Sequence, residues 1–184
     1  AAENSGGISE PAYLEQLDAW ANWWRSQPGV VHVSSLSDTM RRLNKNMHGD
    51  DPDAYVLPQN RELAAQYLLL YEMSLPYGLD LNNQINVDKS ATRIIVTIQP
   101  MKMTEILELA EHGESWLKSN GPNVTGHLGT GMIMMFSHLT LENTFSMLFG
   151  TGVAIVLIGA VLMLALRSFN LGLLSLIPNL TPIA

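Results

Sequence analysis

Residues 143–166 read NTFSMLFGTGVAIVLIGAVLMLAL, twenty-four consecutive positions from Asn143 to Leu166 without one charged side chain. At about 1.5 Å per residue such a helix is roughly 36 Å long, enough to cross a hydrocarbon core of about 30 Å with some tilt. Twelve of the residues from Phe145 to Leu166 are Phe, Leu, Ile or Val. Each favours insertion by about 0.3–0.6 kcal/mol, and their sum of about −4 to −7 kcal/mol outweighs Ser146, Thr151 and the glycines. A core helix of a soluble domain seldom runs uncharged for so long. The stretch reads as a transmembrane helix, and Arg167 directly after it assigns that end to the cytoplasm under the positive-inside bias.

Downstream, Arg167-Ser168-Phe169-Asn170 reads as a short cytoplasmic link. Residues 171–184 are apolar but number only fourteen, too few to span, and read as the truncated start of a second transmembrane helix. Pro178 and Pro182 would interrupt that helix by removing amide donors, which membrane helices tolerate where neighbours satisfy the freed carbonyls. The chain opens on the small, polar run Ala1–Gly7 with no signal peptide pattern, and reads as a piece of a longer protein.

Upstream, the composition changes. Nine of the ten basic and all seventeen acidic side chains precede Asn143, a balance of −8, and Arg167 supplies the remaining +1. An acidic water-facing part without clustered Lys and Arg excludes nucleic acid as a partner, because phosphates demand such clusters. Cysteine is absent, which removes disulfides, thiolate metal sites and cysteine nucleophiles.

Residues 1–142 read as alternating helices and strands. From Ser9, apolar residues recur at Tyr13, Leu17, Trp20 and Trp24 on one helical face, and Pro28-Gly29 ends the helix. Val30–Leu36 reads as a strand, Asp38–His48 as a short polar helical piece, and Gly49–Asp53 as a loop. A second amphipathic helix follows Asn60, with Leu63, Ala64, Tyr67, Leu68 and Tyr71 on one side. Leu81, Ile85 and Val87 alternate toward a turn at Asp88–Ala91, and Arg93–Gln99 should pair with them as a hairpin and lie centrally, apolar on both faces. Lys102–Asn120 is expected as a helix with Ile106, Leu109, Ala110, Gly113 and Leu117 inward. A short strand near Asn123–Gly126 and a helix over Thr130–Thr140 should follow. With a first strand upstream of Ala1, the order is the split βαβ pattern of a ferredoxin-like α+β domain carrying one insertion.

No catalytic constellation is visible: neither His-Glu-x-x-His, nor a Walker-type phosphate loop, nor Gly-x-Ser-x-Gly occurs. No enzyme, cofactor or metal role is assigned. Met132, Met134 and Met135, with Met101, Met103 and His138, carry soft donor atoms suited to monovalent copper, but methionine more often fills apolar gaps. Asn123-Val124-Thr125 and Asn179-Leu180-Thr181 match the glycosylation triplet without further support. Gly126, Gly129 and Gly131 lie between the last soluble strand and the helix entering the membrane, and read as a hinge.

The run from Asn123 through the span to Leu166-Arg167-Ser168-Phe169-Asn170-Leu171 and on through Ile177-Pro178-Asn179-Leu180-Thr181-Pro182 resembles the resistance-nodulation-division (RND) superfamily, in its MMPL-like exporter branch. The positions that carry the likeness are Arg167, Ser168, Pro178, Asn179 and Pro182, and the Ile-Pro-Asn form is similar to the family's second half. The resemblance implies proton-driven export of lipids or other hydrophobic molecules from a multi-pass protein of the bacterial inner membrane. Residues 1–142 would form a ferredoxin-like extracytoplasmic porter domain. Its partners would be the lipid bilayer, a hydrophobic cargo and the remaining membrane helices, with homo-oligomerisation left open. The proton-carrying acidic residues would lie in a later helix, since the span here holds no titratable group. A different class also fits the sequence, a membrane-anchored extracytoplasmic sensory or structural module.

Overall fold

The computed structural model describes residues 1–76, 81–122, 124, 126 and 129–166. The chain divides into two compact units, Ala1–Gly129 and a second beginning at Thr130. The first is a mixed α/β unit. In chain order it contains α1 (Pro11–Arg25), β1 (Val30–Ser34), α2 (Leu36–Met47), α3 (Arg61–Ser74), β2 (Ile95–Ile98) and α4 (Met103–Asn120), with 3-10 turns at Gly7–Ser9 and Pro52–Ala54. The second contains α5 (Met132–Leu166).

Helix α1 starts with Pro11 in its first turn, where the missing amide hydrogen is no loss. It buries Tyr13, Leu17 and Trp24 of the expected face together with Leu14 and Ala21, and leaves Trp20 half-buried. Strand β1 ends at Ser34, two residues before the strand expected from the sequence, because Ser35 opens a helix instead. Its hydroxyl donates to the Asp38 carboxylate at 3.0 Å and shares a hydrogen bond with the Ser37 hydroxyl at 2.6 Å, side-chain bonds that brace the first turn of α2. Helix α3 is capped by Asn60, whose side-chain oxygen accepts from the Leu63 amide at 2.8 Å. Asp18 and Arg41 tie α1 to α2 through two parallel hydrogen bonds of 2.6 and 2.7 Å. Tyr67 donates to the buried Asn44 at 3.0 Å, joining α3 to α2.

Among the described residues the sheet has two strands, β1 and β2, paired antiparallel with Val33 opposite Val96 and Ser34 opposite Ile95, and a bulge at Val31. The expected hairpin between Leu81–Val87 and Arg93–Gln99 is reduced to one bridge, Ile85 to Thr92. Side-chain chemistry takes the place of a longer ladder. The Asn86 side-chain oxygen accepts from the amides of Ser90 and Ala91 at 2.9 and 2.8 Å, closing the turn. The carbonyls of Asp88, Lys89 and Ser90 are taken by the amides of Gly6, Ile8 and Ala2. Tyr13 and Thr92 share a hydrogen bond of 3.0 Å that fixes this turn to α1, and burial pushes the Tyr13 phenol above its ordinary pKa, the bond to Thr92 opposing in part.

Strand β2 is not buried on both faces. Ile95 is 46% exposed, whereas Val33 on the opposite face of the sheet is 2% exposed. One side is solvated, as antiparallel sheets allow. The covered side packs Val33, Val30, Ile94 and Val96 against Ala21 and Trp24 of α1 and Leu109 of α4. All four tryptophans of the chain meet here: Trp23 and Trp24 rings lie 5.0 Å apart edge to face, Trp20 and Trp24 6.3 Å, and Trp23 stacks on Trp116 at 5.9 Å. Gly113 lets α4 approach them, since a Cβ at that position would overlap the Trp24 ring, and Trp20 Nε1 donates to the Gly113 carbonyl at 3.3 Å. A larger cluster built on Ile8, Leu14, Met40 and Leu68 holds α1, α2 and α3 together.

Candidate membrane-spanning helix

Helix α5 runs unbroken for 35 residues, roughly 52 Å at about 1.5 Å per residue. Its apolar window has a mean hydropathy of 2.5, and 6% of that window is buried within the structure. This is the reverse of a soluble core helix, which hides its apolar side chains against its own chain. Phe145, Phe149 and Leu164 are 70%, 76% and 80% exposed. The helix is long and apolar enough to cross a membrane. Hydroxyls are answered locally: Ser137 donates to the Ile133 carbonyl and Thr144 to the Thr140 carbonyl, each at 2.8 Å. Within the apolar run such an internal bond is what the Thr144 hydroxyl needs in hydrocarbon, because no water is there to replace it, whereas Ser137 precedes that run.

The three glycines ahead of α5 do different things. Gly126 lies against Leu117, whose side chain a Cβ would overlap, so it acts by close packing at the end of α4. Gly131 has φ +126°, a backbone setting that other residues seldom adopt, with open space around it at the start of α5. Gly129 is exposed and is the last residue of the first unit.

Other expected positions fall elsewhere. Arg167, Ser168, Pro178, Asn179 and Pro182, the short link and the second helix lie outside the described residues, as do Asn123 and Thr125 of the expected last strand. The amide of the described Val124 bonds to the Gly121 carbonyl at 3.1 Å. Among the described residues, no group of three or more His, Cys, Asp or Glu is arranged to hold a metal ion.

A cleft of about 290 Å³ opens between the end of α3 and residues 81–89. Leu75, Leu81 and Ile85 line it, and Lys89 donates to Glu72 at its rim at 2.6 Å. Nothing in the sequence had pointed to it: its rim charges are seventeen residues apart, and its apolar lining looks like ordinary core. Among the described lining residues those two charges satisfy each other.

Compared with protein-family models, curated proteins and solved structures, the chain matches none. Function therefore rests on the residues themselves.

Proposed function

We propose that this chain is part of a proton-driven exporter of lipids or other hydrophobic molecules, of the RND/MMPL-like type, in which residues 1–142 face away from the cytoplasm and α5 anchors them in the bacterial inner membrane. The observation that carries this reading is the pairing of an acidic α/β unit with a 35-residue helix whose apolar window is only 6% buried. The motif run around Arg167, Ser168, Pro178, Asn179 and Pro182 supports it further. The path of α1, β1, β2 and α4 supports a ferredoxin-like porter domain: two strands pair antiparallel, and one helix from each half covers the same face. The segment holding α2 and α3 is the insertion. The porter domain takes up cargo, and the proton is carried by acidic groups in other helices of a multi-pass parent protein.

The test is reconstitution of the full parent protein in liposomes with an imposed pH gradient, following extraction of labelled lipids to an acceptor. Gradient-dependent transfer that a protonophore abolishes is expected. No transfer across neutral, anionic and glycosylated lipids would overturn the reading.

A further inference from the structure

We propose that Met134, Met135 and His138, on the first turns of α5, bind a soft monovalent metal ion of the copper(I) class. The continuous helix from Met132 to Leu166 turns their sequence spacing into geometry. His138 follows Met134 by four residues and Met135 by three, and such pairs are neighbours on a helix, with Cβ atoms about 5–6 Å apart. Helical side chains lean toward the N-terminus, so the imidazole leans over the turn that carries both methionines. Each methionine has three rotatable bonds, which lets the two sulfurs close the remaining distance from either side of the ring.

The donor chemistry selects the ion. Thioethers favour copper(I) over harder divalent cations, imidazole serves it equally well, and the chain has no cysteine to compete for it. Met135 is 54% exposed, His138 is exposed and Met134 half-buried, and all three precede the uncharged run that begins at Asn143, so the donors lie at the helix surface ahead of that run. Glu142, also exposed, lies four residues beyond His138 in the same column. Its carboxylate is within reach of the second ring nitrogen, the kind of partner that orients a metal-bound histidine, and adds negative charge beside the cation. A surface serving only apolar contact has no use for a histidine and a carboxylate in the column of its methionines. Met132 lies six residues from His138, about 9 Å along the axis, too far to share the ion. Met101 and Met103 belong to the first compact unit. The site goes beyond the export reading and stands or falls separately from it.

The experiment uses the full chain in detergent micelles and silver(I) as the redox-stable probe, titrated calorimetrically in chloride-free buffer, with the methionine methyl groups labelled for NMR. One silver ion per chain is expected, with the Met134 and Met135 methyl signals shifting and copper(I) displacing the silver under reducing conditions. Both a Met134→Leu/Met135→Leu double variant and His138→Gln should weaken binding at least about tenfold, and Glu142→Gln about tenfold. Met147→Leu should leave it unchanged. Absence of saturable binding, or affinity in the double variant within about twofold of the parent chain, overturns the proposal. Should the double variant lose helical circular dichroism, the methyl shifts in the unaltered chain and the His138→Gln result decide.

Discussion

Gly113→Ala is the sharpest probe of the packing between α1 and α4. At an unobstructed helix position this change stabilises by about 0.8–1 kcal/mol, because alanine loses less backbone entropy than glycine. At Gly113 the new methyl would overlap ring carbons of Trp24. That ring is 9% exposed and packs edge-on to both Trp20 and Trp23, so it cannot swing aside. Overpacking of this kind costs about 1–3 kcal/mol. The balance is a net loss of about 0–2 kcal/mol, and for a unit of this size each kcal/mol lowers Tm by roughly 3–5 °C. The sign is the decisive quantity. Denaturant unfolding of the full chain in detergent, followed by tryptophan fluorescence, measures it directly, because every tryptophan sits in this cluster and none in α5. The near-ultraviolet circular dichroism should change with it as Trp24 shifts. A gain of about 1 kcal/mol with an unchanged aromatic spectrum would refute the contact between α4 and Trp24.

The solvated face of the sheet gives a paired test. Ile95→Asp should cost no more than about 1 kcal/mol, the span of strand preferences, while Val33→Asp on the covered face should cost several or unfold the unit; equal losses in a denaturant titration would contradict the one-sided sheet. Tyr13 has its folded pKa raised, so its contribution is fully present below the ordinary phenol value near 10 and is lost as pH rises through the higher folded value. Tyr13→Phe should flatten that alkaline loss at a cost of about 0.5–1.5 kcal/mol at neutral pH for the bond to Thr92; an unchanged alkaline profile would remove Tyr13 from the account. For orientation, reporters attached at Gly6 and Ser168 should lie on opposite sides of the membrane with Gly6 outside, and a cytoplasmic signal from Gly6 would reverse the proposed topology.

The helices were legible in the sequence where local rules govern. Tyr13, Leu17 and Trp24 of the first expected face and Ile106, Gly113 and Leu117 of the last are buried as their periodicity implies, with Trp20, Leu109 and Ala110 half-buried beside them, and a helix does follow Asn60. The strand pairing was less so. A run such as Ile94-Ile95-Val96 looks central because every side chain is apolar, yet whether a second layer covers the outer face is decided by the number of layers in the unit, which periodicity does not encode. The hairpin failed for a different reason. Alternation at Leu81, Ile85 and Val87 suggests a strand, but Asn86 bonds its own turn, and residues more than eighty positions away take the carbonyls of Asp88, Lys89 and Ser90. The glycine stretch was visible as composition. Its division into a packing position and a positive-φ position depends on Leu117 and on the start of α5.

That division changes what a hinge experiment can mean. Gly126→Ala presses a methyl onto Leu117 inside the first unit, so lost stability and abundance is its direct effect, about 1–3 kcal/mol. Gly131→Ala meets no neighbour, and its penalty, also of order 1–3 kcal/mol, comes from the backbone angle alone. Only Gly131, together with the exposed Gly129, isolates a movement between the soluble unit and the helix from the packing of the unit itself. In the parent protein a Gly129→Ala/Gly131→Ala variant should keep normal abundance and membrane insertion but slow cargo movement if the joint must bend, whereas Gly126→Ala should lower abundance first. Full export at normal abundance from the double variant would leave Gly131 as a fixed turn that tolerates change, and the joint would then have to be sought outside these glycines.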